Sequence, residues 1–91
     1  MTKLKGTSME YGGPSHTALK YATMKRSTGF SVENLLEVFP KKFSKPSKAV
    51  GALLSLERHG FVYLRGNTWK ITSIGVTFLR ANAQKFVGEF S

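Results

Sequence analysis

Apolar side chains recur at helical spacing along most of the chain and change to strand-like spacing in one short stretch. The first helix is predicted to follow Ser15, a suitable N-cap, and to run to about Ser27. Its inward positions are expected to be Leu19, Ala22, Tyr21 and Met24. A short second helix should follow Ser31 and stop before Pro40. Its apolar face has i, i+3, i+4 and i+7 spacing: Val32, Leu35, Leu36 and Phe39.

A third helix is predicted from about residue 45 to residue 59. Ser44 is its expected N-cap, Pro46 lies in its first turn, and Gly60 closes it at C′. One side of this helix is apolar and should face the core: Ala49, Val50, Leu53, Leu54 and Leu56. The other side is basic or small: Ser47, Lys48, Gly51, Ser55 and Arg58.

The remaining elements are a β-hairpin over residues 61–72 and a last helix. Gly66 and Asn67 form the predicted turn of the hairpin, with Trp69 packed in the core and Tyr63 exposed. The last helix begins after Thr72 or Ser73, and its apolar stripe is Val76, Leu79, Ala83, Phe86 and Phe90. Residues 1–14 are rich in Gly and Pro and are predicted to form a flexible arm before a single domain over residues 15–91.

The resulting fold class is α+β and mainly α, in the order helix, helix, basic turn, helix, hairpin, helix. That order is typical of a winged helix-turn-helix, in which the third helix enters the major groove of DNA and the hairpin is the wing. The central segment also resembles the winged-helix pattern of MarR-like regulators. The matching residues are Leu53-Leu54-Ser55-Leu56-Glu57-Arg58-His59-Gly60-Phe61-Val62, then Trp69-Lys70-Ile71-Thr72 and Gly75. The resemblance implies DNA binding.

The distribution of charged residues also favours nucleic-acid binding. The 91 residues include 14 Lys and Arg against 5 Asp and Glu, a formal net charge of +9. Residues 41–80 hold eight of these basic side chains and one acidic one, so the binding surface should lie there. The candidate nucleic-acid-binding residues are Lys41, Lys42, Lys45, Ser47, Lys48, Ser55, Arg58, Arg65, Asn67 and Lys70. The small residues Gly51, Ala52 and Ser55 would let the third helix approach base edges.

Other chemistry finds little support in the sequence. There is no Cys, and the two histidines lie in unrelated predicted elements, so we expect neither a metal site nor a cofactor. No phosphate-binding loop or nucleophile motif is present, and we expect no enzymatic activity. No apolar run reaches the roughly 18 to 20 residues of a membrane span. We therefore expect an intracellular protein, either cytoplasmic or, if it binds DNA, nucleoid-associated or nuclear.

Three questions stay open at this level. A protein-interaction adaptor or inhibitor could use the same basic face against an acidic partner. The partner could also be RNA or single-stranded nucleic acid instead of duplex DNA. Exposure of Tyr63 and Trp69 on the same surface as the lysines would favour this alternative. The protein could act as a monomer, or as a homodimer through its C-terminal helix.

Overall fold

The computed structural model describes residues 12–82, which form four helices and a two-stranded antiparallel hairpin. The fold of this part is therefore α+β and mainly helical, as predicted. Residues 1–11 and the stripe residues Ala83, Phe86 and Phe90 lie outside the described residues. The elements in chain order are α1 (Pro14–Met24), α2 (Val32–Val38), α3 (Pro46–Arg58), β1 (Val62–Arg65), β2 (Thr68–Ile71) and α4 (Ser73–Ala81).

Helix α1 begins and ends earlier than predicted. Gly13 is the N-cap in place of the predicted Ser15, and Pro14 occupies the first turn. Proline is favoured there because its fixed φ already suits a helix. The helix ends at Met24 instead of Ser27. Met24 was expected to face inward, and it is 75% exposed. The buried residues of α1 are His16, Ala18, Leu19, Tyr21 and Ala22.

Helix α2 has the predicted start. The Ser31 hydroxyl accepts a hydrogen bond from the backbone N–H of Asn34 at 3.3 Å, and the Asn34 side-chain oxygen accepts one from the backbone N–H of Ser31 at 3.0 Å. This reciprocal capping box satisfies two backbone donors that the first turn of a helix leaves unpaired. Leu35 is buried, while Val32, Leu36 and Phe39 pack against the core from its edge.

Helix α3 is one residue shorter at each end than the predicted 45–59. Its N-cap is Lys45, which makes no side-chain capping bond, and not Ser44. Its other end has the predicted glycine closure. Gly60 has a φ of 77° and donates to the Glu57 carbonyl at 2.9 Å, and Phe61 donates to the Leu56 carbonyl at 3.0 Å. This pair of bonds is a Schellman motif, which requires the left-handed conformation that glycine adopts at little cost.

The hairpin is also slightly shorter than the predicted 61–72, with a two-residue turn at Gly66 and Asn67. Gly66 has a φ of 63°, and no residue other than glycine has positive φ among those described. This fits a type II′ turn, in which glycine comes first, so the order Gly-Asn suits the turn. Trp69 also exchanges backbone hydrogen bonds of 2.8 and 3.0 Å with Phe30, which forms an isolated β-bridge beside the hairpin.

Helix α4 follows Thr72, whose hydroxyl accepts from the Gly75 N–H at 3.1 Å and donates to the Gly60 carbonyl at 2.5 Å. The Thr72 side chain thus ties the start of α4 to the end of α3. Val76 is buried, and Leu79 packs at the edge of the core, so part of the predicted stripe serves this domain. No helix within residues 12–82 is long and apolar enough to cross a membrane.

Candidate nucleic-acid interface

The inner side of helix α3 agrees with the predicted one at Ala49, Leu53 and Leu56 and differs from it at three positions. Its buried residues are Ala49, Ala52, Leu53 and Leu56. Two apolar residues predicted for the core are on the surface instead: Leu54 is 44% exposed and Val50 36%. Conversely, Ala52 was expected among the small residues facing DNA, and it is only 6% exposed. The buried face is centred on small alanines because α3 packs closely against α1, which buries Ala18 and Ala22.

The outer side of α3 contains Ser47, Gly51, Leu54 and Arg58, which recur at spacings of four, three and four. All four are exposed, so they form a stripe along the helix surface. Lys48 and Ser55 lie on one flank of this stripe, and Val50 lies on the other, because successive residues are about 100° apart around a helix. Ser47, Lys48, Ser55 and Arg58 therefore lie on or beside one accessible surface, as the sequence predicted.

The hairpin tip lies beside α3. An open groove of about 460 Å³ runs between α2, α3 and the hairpin. The residues lining this α3–hairpin groove are Val32, Glu33, Val50, Leu54, Leu64, Gly66, Asn67 and Trp69. Asn67, a predicted site residue, thus comes close to the outer side of α3. Arg65 pairs with Thr68 on the hairpin face opposite the one that carries Trp69.

Five of the seven predicted site cations are exposed and make no hydrogen bond or ion pair within residues 12–82: Lys41, Lys45, Lys48, Arg58 and Arg65. Lys41 and Lys45 lie just before α3 or at its start, where unpaired backbone N–H groups and the helix dipole add positive potential. Cations that are not held by protein carboxylates can bind phosphate without first breaking an ion pair. This end of α3 can therefore bind an anionic backbone.

Two other predicted cations are held by backbone carbonyls. The Lys42 ammonium donates to the Gly12 carbonyl at 2.6 Å, which directs it toward α1 and away from the outer side of α3. Lys70 is half-buried, and its ammonium donates to the Ser27 carbonyl at 3.5 Å. Lys70 pairs with Tyr63 in the hairpin and is farther from the turn than Arg65. Neither lysine joins the surface formed by α3 and the hairpin tip.

Lys42 belongs to a second groove, of about 410 Å³, that also includes His16, Lys20 and Tyr21. His16 is 1% exposed, and its Nδ1 accepts a hydrogen bond from the Gly12 N–H at 2.8 Å. Burial, followed by the positive charges of Lys20 and Lys42, lowers the pKa of His16 to about 4 from its ordinary 6.5. The imidazole is therefore neutral at pH 7. No local pattern predicts this burial, because His16 interrupts the apolar pattern of its helix.

The two hairpin aromatics lie on opposite faces. Trp69 is 5% exposed and Tyr63 42%, as the sequence predicted. Their pairing register puts Tyr63 with Lys70 on one face and Trp69 with Leu64 on the other. They cannot form one stacking surface for unpaired bases, which was the feature expected to favour single-stranded binding.

The apolar part of this surface was not predicted from the sequence. Val50, Leu54 and Leu64 line the α3–hairpin groove, and none was a predicted site residue. The apolar residues of α3 extend over more than one face, and the predicted buried face was correct at Ala49 and Leu53 but extended too far toward Val50 and Leu54. The chain matches no known family model, and neither curated proteins nor solved structures provide a significant match.

Proposed function

We propose that this protein is a non-enzymatic transcriptional regulator that binds duplex DNA with a winged-helix layout. In this proposal α3 lies in the major groove and the β1–β2 hairpin is the wing that contacts the flanking backbone. The major groove is about 12 Å wide and admits one helix, while the hairpin tip can follow the neighbouring phosphates. The chemistry requires no catalytic residue, metal or cofactor.

The observation that carries the proposal is the position of the hairpin tip beside the outer side of α3. Leu54 and Val50 of α3 border the same groove as Gly66 and Asn67 of the turn. A duplex seated on α3 would therefore also meet the hairpin. The order of the elements and the isolated β-bridge between Phe30 and Trp69 further support this layout.

Electrostatics supports a polyanionic partner over a neutral one. Lys41 and Lys45 flank the start of α3, Lys48 and Arg58 lie along it, and Arg65 is on the hairpin. Each lysine or arginine that neutralises a phosphate releases counterions, so binding through this surface must weaken steeply with salt. A surface that met a neutral partner would show little such dependence.

The direct test is fluorescence anisotropy of the full chain with random-sequence duplex DNA and with single-stranded DNA of equal length, from low to physiological salt. We expect duplex binding with a steep linear dependence of log affinity on log salt. Absence of binding at low salt would contradict the proposal and favour an acidic protein partner. Preference for the single strand would instead favour the RNA or single-stranded alternative.

Charge reversal provides a matched comparison. Lys48→Glu and Arg58→Glu should abolish duplex binding at physiological salt, because each replaces a phosphate partner by a repulsive charge. Arg80→Glu is the control, since Arg80 is also an exposed arginine in the last turn of a helix, yet it lies on α4. We expect Arg80→Glu to bind nearly as wild type. An equal loss in all three variants would mean that net charge matters and position does not.

A further inference from the structure

The outer side of α3 is more apolar than phosphate binding requires. Leu54 and Val50 are 44% and 36% exposed, although α3 buries four other apolar side chains. Leu64 on the hairpin is 46% exposed and lines the same groove. Exposed apolar side chains that are grouped on one surface are typical of a binding site, whereas isolated ones need no explanation.

The charges around the α3–hairpin groove indicate which part of a duplex it would meet. Its lining residues include one carboxylate, Glu33, and the amide of Asn67, but no lysine or arginine. A carboxylate repels phosphates, so the DNA backbone should not run through this groove. Two nearby cations face away from the groove, because Lys48 lies on the opposite flank of α3 and Arg65 on the other face of the hairpin. Base edges are therefore the part of a duplex that would face Leu54.

The major groove offers one apolar group among the four standard bases, the C5-methyl group of thymine. We propose that Leu54, with Val50 beside it, packs against thymine methyl groups, so that the protein prefers sites rich in thymine at the positions facing α3. This inference rests on the proposed function, since it requires α3 to lie in the major groove. Gly51, one turn before Leu54, has open space where a side chain would project, so the helix backbone can come close to the bases.

The test compares two random-sequence duplexes that differ only in these methyl groups. One is synthesised with thymidine and the other with deoxyuridine, which keeps the charge and the base-pairing groups and removes the methyl. We expect the thymine duplex to bind tighter by about fourfold for each methyl group buried, since one buried methylene is worth about 0.8 kcal/mol. The salt dependence should be the same for both duplexes, because their phosphates are the same.

The matched variants are Leu54→Ala and Ile74→Ala. Ile74 is 59% exposed on α4, outside the α3–hairpin groove, so it controls for loss of a surface apolar side chain. Leu54→Ala should bind thymine and uracil duplexes equally and keep the wild-type salt dependence and thermal midpoint. Ile74→Ala should keep the thymine preference. Comparing wild type with Leu54→Ala on both duplexes separates direct contact from any change in DNA shape.

The outcomes distinguish this inference from the function on which it rests. Equal binding of both duplexes with a steep salt dependence would overturn the thymine reading and leave duplex binding intact. A thymine preference that survives in Leu54→Ala would also overturn it. Binding of neither duplex would overturn both proposals, and the apolar groove would then be a surface for a protein partner.

Discussion

Leu53 and Leu54 are neighbours on α3, and they lie in opposite surroundings. Leu53 is fully buried in the core, whereas Leu54 is 44% exposed on the side of α3 that borders the hairpin tip. The same contrast holds for the whole helix, which buries alanines and leucines on one side and exposes Ser47, Gly51 and Arg58 on the other. Apolar neighbours on one helix can therefore belong to the core or to the surface, and the exposed fraction of each side chain distinguishes them.

The largest predicted effect is a difference in the free energy of unfolding between alanine variants of these two leucines. Leu53→Ala should lower the free energy of unfolding by about 2 to 5 kcal/mol, because it leaves a cavity in the core. Leu54→Ala should change it by less than about 1 kcal/mol, because much of the side chain is already in water. Urea denaturation of both variants measures the difference. Similar losses would contradict the assignment of inner and outer sides.

Two helical glycines extend the comparison to backbone packing. At Gly75 an added Cβ would collide with the Phe61 carbonyl and the Ile71 side chain, so Gly75→Ala should cost about 1 to 3 kcal/mol. At Gly51, on the outer side of α3, nothing lies within 4 Å, so Gly51→Ala should stabilise by about 0.5 to 1 kcal/mol. Thermal unfolding of both variants shows whether each substitution raises or lowers the stability. Stabilisation by Gly75→Ala would show that α4 does not pack closely against Phe61.

These residues also show where sequence reasoning succeeds and where it fails. Ser31, Pro40, Gly60 and Thr72 act locally, through caps and backbone conformation, so they allowed the helix ends to be predicted to within a few residues. Leu54 could not be placed correctly, because the apolar run of α3 supports two faces and the choice depends on the partner helix. Gly75 has the same difficulty, since helix propensity alone disfavours it and only the contact with Phe61 explains it.

The candidate site also has features that the sequence predicts and features that depend on the fold. Its cations were predicted as a group from charge, and five of them are exposed and unpaired within residues 12–82. The direction of Lys42 and Lys70 toward backbone carbonyls depends on distant segments, Gly12 and Ser27, which no local pattern reveals. Leu64 was missed for a similar reason, since only the packing of the hairpin beside α3 brings it to the groove.

The last predicted effect is on the pH dependence of stability and concerns His16. His16 is buried with a pKa lowered to about 4, so between pH 6.5 and 4 the unfolded chain binds a proton there that the folded chain does not. Stability should therefore fall as the pH falls through this window, by up to about 1.4 kcal/mol per pH unit from this group. Denaturant unfolding at several pH values measures the slope.

His16→Gln is the matched variant for that measurement, because it removes the ionisable group from the same position. The variant should show a shallower fall in stability between pH 6.5 and 4, whatever its stability at pH 7. Equal slopes in wild type and His16→Gln would mean that His16 takes up its proton in the folded protein as readily as in the unfolded one.

The most direct test of the central claim is a map of the bound surface by amide NMR, with random-sequence duplex DNA added to the full chain at low salt. We expect the largest shifts on the outer side of α3, at Ser47, Gly51 and Arg58, and at the hairpin turn, at Gly66 and Asn67. The amides of α4 should change little. Shifts confined to α4, or to the groove of His16 and Lys42, would contradict the claim that α3 and the hairpin form the DNA-binding surface.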